Sequence, residues 1–326
     1  MNNSVSALLR FQSLFGLIAL LILSAILSPV RYGRPIFLAP DNLLNIVRFA
    51  SENGIIAVGM TLVILTGGID LSVGALLALC AVGAAACLMR YHLNSGVSIA
   101  LMLMLGSLVG VMNGVITTRF RVQSFITTLA MMSAARGVAS LWAGGSAIPL
   151  AFGSDIGDAS PLFKNLFAGH ATVFGLEIPA QLFYFVGAGA IATFLLNRTG
   201  FGRHVYAVGG NALASRLSGV AVTRVQIAVF AISGFLVGLA ALLHAASVNE
   251  GNRNDGTGYE LNAIAAVVIG GTNLSGGIGT VIGTMIGALI LQILDNILGL
   301  RNMPTDYQAI LKGIIIVLAV CLQRKR

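Results

Sequence analysis

Long apolar runs, interrupted by short polar or glycine-rich stretches, cover most of this chain. Runs approaching the 17 to 25 residues needed to cross a bilayer lie near 12–29, 52–66, 71–89, 97–117, 124–143, 179–196, 225–246, 262–272, 276–298 and 308–322. They predict an all-α membrane protein of about ten transmembrane helices in one polytopic domain, residues 1–326. The runs 52–66 and 262–272 are too short to cross unaided. The first run, Leu14 to Val30, exceeds the usual apolar region of a secretory signal and is followed by further spans, so it reads as a retained helix.

The interruptions carry a pattern of their own. "GGIDLSVG" at 67–74 matches "GGTNLSGG" at 270–277 in Gly-Gly, Leu-Ser and the final Gly, with Asp70 against Asn273. Each copy follows one apolar run and precedes another, which suggests internally repeated halves, a common plan among transporters. An ionised residue costs several kcal/mol in the bilayer, so Asp70 is expected to face protein or water. The glycines favour two helix breaks, after which Asp70 and Ser72, and Asn273 and Ser275, are typed to cap the helix that follows. Two readings fit: plain hairpin caps, or broken helices whose polar ends point at a central pathway with Asn53 and Thr66 nearby.

Other polar residues within apolar runs, Thr61, Asn113, Thr127, Thr128, Gln292 and Asn296, read as interhelical hydrogen bonds. Asp295, Arg136 and His244 need a partner or water, as structural pairs or as a proton relay.

Loop charges set an orientation. The segment 197–224 holds Arg198, Arg203, Arg216 and Arg224 with no acid, and it groups with Arg119, Arg121 and the tail 324–326 on the cytoplasmic side. Loops 144–178 (Asp155, Asp158, Glu177) and 247–260 (Glu250, Asp255, Glu260) belong outside, which leaves both termini inside. Arg31, Arg34 and Arg48 run against this arrangement.

Composition narrows the class. With 57% hydrophobic and 9% charged residues, against roughly a quarter charged in soluble domains, the chain could not cover a soluble surface. The net charge of +8 comes from scattered clusters, not from a stripe suited to nucleic acid. Cys80, Cys87 and Cys321 show no C-x-x-C spacing and read as small buried hydrophobes. The lysines, Lys164, Lys312 and Lys325, fall in no phosphate-cradling G-x-x-x-x-G-K-[ST] frame. His92, His170, His204 and His244 lie far apart, and neither an H-E-x-x-H helix nor a G-x-S-x-G elbow occurs. These absences argue against an enzyme and against a metal site.

Three stretches, "GMTLVILTGGIDLSVGALLAL" at 59–79, "YAVGGNALASRLSGVAVTRVQI" at 206–227 and "GTGYELNAIAAVVIGGTNLSGGIGTVIGTMIGALI" at 256–290, resemble the membrane permeases of bacterial ABC monosaccharide importers, the ribose-type family. The resemblance runs from the first span to the basic tail, with only 144–178 idiosyncratic. It implies a bacterial inner-membrane permease set in lipid, with an identical or related second permease subunit and a periplasmic sugar-binding protein. It also implies a cytoplasmic ABC ATPase that uses ATP and Mg, while this chain itself binds no cofactor and no nucleic acid. By the same resemblance, Gly210, Asn211, Ala214, Ser215, Arg216, Leu217 and Gly219 form the coupling helix that docks on the ATPase. The residues suit that role: Asn211 is typed as an N-cap, helix formers follow, and Gly219 ends the run. Two alternatives stand beside it: an ion-coupled secondary transporter built on Asp70, Asp295, Arg136 and His244, and an ABC permease for a nucleoside, a branched-chain amino acid or another small polar solute.

Overall fold

The computed structural model describes residues 12–31, 33–153, 159–173 and 175–323. Asp155, Asp158 and the tail 324–326, used above as topology signals, lie outside the described residues, as does the Cys321 side chain. In chain order the helices are α1 (Gln12–Leu27), α2 (Pro40–Leu65), α3 (Val73–Met89), α4 (Ser95–Arg119), α5 (Ser124–Ala143), α6 (Pro161–Ala168), α7 (Ala180–Arg198), α8 (Gly200–Gly210), α9 (Ala212–Leu217), α10 (Val222–Val248), α11 (Tyr259–Ile269), α12 (Val281–Leu300) and α13 (Thr305–Gln323). Among the described residues, α2, α4, α7, α10 and α12 are long and apolar enough to cross a membrane.

Several boundaries differ from expectation for identifiable reasons. The weak run at 52–66 is the second half of α2, a helix of 26 residues that opens with Pro40 in its first turn. Asp41, Asn42, Asn45, Arg48 and Glu52 lower the hydropathy of its first half without breaking the helix. The run at 276–298 yields a helix only from Val281, because Gly276, Gly277 and Gly279 all adopt positive φ. The basic stretch 197–224, expected as a loop around one short helix, instead contains α8, α9 and the start of α10.

Helix α3 sits at the centre. Every residue from Val73 to Leu88 is buried, which fits a helix that is apolar on all sides. Its neighbours include α4, α5 and α10. Alanines and glycines let them approach closely, as at Gly83, where an added Cβ would lie 2.6 Å from Met102 Sδ.

The longest contact runs between α4 and α10 and is built on glycine. A Cβ at Gly106 would fall 2.3 Å from the Gly234 carbonyl oxygen, and one at Gly110 would fall 2.2 Å from that of Phe230. With no hydrophobic drive between helices in lipid, such backbone-to-backbone packing supplies much of the association. Around this core, α2 packs on α10, α12, α7 and α11, and α1 packs on α12.

Short strand pairs link the segments between helices. Strand β1 (Val30–Arg31) pairs with β2 (Arg34–Pro35), and β4 (His170–Val173) with β5 (Leu176–Pro179). Strand β3 (Ile148–Pro149) pairs with β6 (Glu250–Gly251), tying the 144–178 region to the segment after α10.

Candidate functional site

Both expected breaks exist. In the first, Gly67, at φ 81°, closes α2 by donating to the Ile64 carbonyl, and Thr66 Oγ1 donates to the Val63 carbonyl at 2.8 Å. Asp70 Oδ1 then accepts from the Ser72 N–H at 2.9 Å and from its hydroxyl at 2.6 Å, and Asn113 Nδ2 of α4 donates to Ser72 Oγ at 2.9 Å. Helix α5 serves two further backbone donors: Ile69 N–H bonds Ser124 Oγ and Leu71 N–H bonds Thr128 Oγ1, both at 3.0 Å. Asp70 is 1% exposed and Ser72 0%, and the bonds at Asp70 Oδ1 and Ser72 Oγ offset part of the cost of that burial.

In the second break, Gly271, at φ 89°, donates to the Val268 carbonyl, and Asn273 Oδ1 accepts from the Ser275 N–H at 2.9 Å. The turn around Asn273 therefore repeats the one around Asp70. The eight-residue match is offset, however: the helix-closing glycine precedes the turn residue by three positions in the first copy and by two in the second. Asn273 and Ser275 are exposed.

The capping expectation needs correction. Ser72 occupies the N-cap of α3 but makes no side-chain capping bond, because its hydroxyl is engaged with Asp70 and Asn113. Asn273 and Ser275 do not cap α12. The chain runs on through its glycines to Thr280, whose Oγ1 accepts from the Gly283 N–H at 3.1 Å.

The two breaks meet each other and the end of α8. Gly277 N–H donates to the Leu65 carbonyl at 3.0 Å, and Tyr206 Oη donates to the Gly279 carbonyl at 2.9 Å. A Cβ at Gly209 would fall 1.8 Å from the Leu65 carbonyl oxygen and 2.5 Å from Gly277 N. Sequence reasoning passed over Tyr206 and Gly209, although the Gly-Gly pair ahead of Asn211 was a visible sign of close backbone approach.

From this junction the chain leads directly into α9. Asn211 Oδ1 accepts from the Ala214 N–H at 2.9 Å, and Gly219, at φ 85°, turns the chain away, so the expected compact helix forms. Ser215 is buried beneath it, whereas Asn211, Ala214, Arg216 and Gly219 are exposed. Leu213 and Leu217, four residues apart, are 69% and 81% exposed. This six-residue helix thus presents two bare leucines beside an exposed arginine.

The isolated polar residues also find places. Asp295 pairs with Lys312 at 2.8 Å, Asn42 and Asn296 bond reciprocally, and Thr61 meets Thr284 at 2.7 Å. The imidazole of His244 lies between two carboxylates, Nδ1 3.0 Å from Glu52 Oε2 and Nε2 3.5 Å from Asp255 Oδ1. Arg136 donates to the carbonyls of Arg253 and Asp255. Asn53 stands apart from both breaks, with a buried Oδ1 that has no hydrogen-bond partner among the described residues. No cluster of three metal-ligating side chains occurs among the described residues.

Residues 42–320 match the family model described as "Branched-chain amino acid transport system / permease component". The chain belongs to this permease family. The permease is 43% identical over 311 residues to the ribose import permease of Escherichia coli strain K12, covering 95% of this chain and 93% of that one. Against the ribose import permease of Haemophilus influenzae the identity is 44%, covering 93% and 90%. Against the xylose transport system permease of Escherichia coli it is 36%, covering 87% and 85%. No solved structure matches it. The permease is thus a multi-pass membrane protein that serves a transport system as its permease component.

Proposed function

We propose that this chain is the membrane subunit of an ATP-driven importer that carries a monosaccharide, most simply a pentose, into the bacterial cytoplasm by alternating access. The observation that carries the proposal is near-full-length identity to ribose import permeases, with a xylose permease also close. The arrangement at the breaks supports it: both abut α8, which continues into the exposed knob α9. A cytoplasmic ATPase gripping Leu213, Arg216 and Leu217 would move α8 and, through Gly209, both breaks together.

In this reading α1–α5, α7 and α10–α13 are the ten spans, both termini are cytoplasmic, and the breaks lie near the cytoplasmic face. The two Asx turns at Asp70 and Asn273 mark related halves. The permease works as a pair with a periplasmic binding protein outside, a Mg- and ATP-using ABC ATPase inside, and no cofactor of its own. Of the pathway candidates, Asp70, Ser72 and Thr66 act as struts of the first break, while Asn273 and Ser275 sit at its moving counterpart.

The engaged state of the ionisable groups disfavours an ion-coupled mechanism: Asp70, Asp295, Arg136 and His244 are each held by protein partners. The test is uptake of radiolabelled pentoses and hexoses by cells carrying this chain with and without its ATPase and binding protein. Uptake of one sugar only when all three are present is expected. Uptake by this chain alone that collapses with the proton or sodium gradient would overturn the proposal.

A further inference from the structure

The segment after α10, expected as an external loop, folds back along α3. Gly251 packs on Ala81, and a Cβ there would lie 2.5 Å from the Ala81 carbonyl oxygen. Further along, Gly256 packs on Gly74, with a Cβ 2.6 Å from that carbonyl. Ala81 lies eight residues, or about 12 Å of helix, before the end of α3. An irregular, polar stretch of backbone therefore runs beside the N-terminal half of the central helix.

Its inner side is anchored by charge. Asp255 meets His244 of α10, which also meets Glu52 of α2, and Arg136 of α5 holds the carbonyls of Arg253 and Asp255. Its outer side is bare. Arg253, Asn254 and Thr257 are exposed, and beside them on α5 so are Ser133, Ala134 and Gly137, while Arg253 reaches Ser140 Oγ at 3.0 Å. Irregular backbone and charged side chains inside a bilayer do not face lipid; they persist where protein covers them or where they line water.

We infer that this face, formed by Arg253, Asn254 and Thr257 of the 249–258 segment with Ser133 and Ser140 of α5, lines the water-filled path along which the sugar moves. The inference rests on the importer reading given above. The chemistry fits a neutral polyhydroxylated solute. The Asn254 side-chain amide has no partner among the described residues and both donates and accepts, and the Thr257 hydroxyl, which donates to the Asn254 carbonyl at 2.6 Å, keeps its lone pairs free. Arg253 adds donors while the Asp255–His244 pair keeps the segment in place, so sugar hydroxyls meet polar groups without a fixed ring of one charge.

The test uses single cysteines in the assembled transporter, in a background with Cys80, Cys87 and Cys321 replaced, probed with a membrane-impermeant methanethiosulfonate. Asn254→Cys and Thr257→Cys should react in at least one nucleotide state, as should Tyr91→Cys near the end of α3, whereas Ile191→Cys on the outer face of α7 should stay silent. The adduct at Asn254→Cys should cut uptake of radiolabelled D-ribose or D-xylose about tenfold or more, with the unmodified variant still active. Labelling at neither Asn254→Cys nor Thr257→Cys in any state would overturn the inference. A spontaneous Asn254→Cys disulfide between two permease copies would do the same, by showing that a protein interface covers this face. Labelling at both positions with no sugar carried by the unmodified transporter would keep the water-lined path and reject the sugar.

Discussion

In the first helix break the turn around Asp70 is buried and stitched to α4 and α5, and its serine hydroxyl is shared between Asp70 and Asn113. In the second, the same turn around Asn273 lies exposed, followed by three glycines at positive φ that lean on α2 and α8. We read these two stretches, alike in five of eight residues, as a fixed strut in one place and a joint with few side-chain ties in the other. What differs is the company: the strut has polar partners on two neighbouring helices, and the joint has backbone contacts that a change in α8 would alter.

This contrast can be broken most strongly at its centre. Gly209→Val would force a side chain into the Leu65 carbonyl and the Gly277 amide, separating the two breaks. Uptake should fall about tenfold or more, given that overpacking a tight site costs about 1–3 kcal/mol and here displaces backbone; unchanged uptake would show that the junction transmits nothing. Next in size is Asp70→Ala. It leaves the Ser72 N–H and hydroxyl without their acceptor in a buried site, at a cost of about 1–3 kcal/mol, read as a lower melting temperature of the purified transporter. Asn273→Ala removes the corresponding bond in an exposed turn and should cost within about 0.5 kcal/mol. If Asn273→Ala proved the more damaging of the two, the assignment of strut and joint would be reversed. The smallest effect belongs to Asp70→Asn, whose amide oxygen still accepts: transport should be nearly normal, and a large loss would show that the charge itself matters.

The legibility of these features in the sequence follows from their physics. Helices α4, α5 and α10 were readable within a few residues because apolar residues dominate each from end to end, despite Asn113, Arg136 and His244. The start of α2 was not, since Asp41, Asn42 and Arg48 look like loop residues until Phe37 and Asn296 are seen to accept from Asn42. The breaks were legible from their glycines, but the capping partners were not. Whether Asp70 bonds a helix end or its own turn depends on where Asn113, Ser124 and Thr128 lie, and those positions are fixed by packing across more than forty residues of chain. The Asn211 cap of α9 was legible because it is local. The pairing of His244 with both Glu52 and Asp255 was not, because it joins parts of the chain that only the folded bundle brings together.

The central claim is that energy enters through α9 and passes by way of α8 to the breaks. It is tested most directly by measuring how much partner ATPase copurifies with the permease carrying Leu217→Asp, a change at a side chain that is 81% exposed. The account predicts that the ATPase is lost, by about tenfold or more for a central apolar anchor, while the permease still inserts and folds, and that Asp70→Asn retains the ATPase in full. Undiminished copurification and ATP-dependent uptake with Leu217→Asp would contradict it.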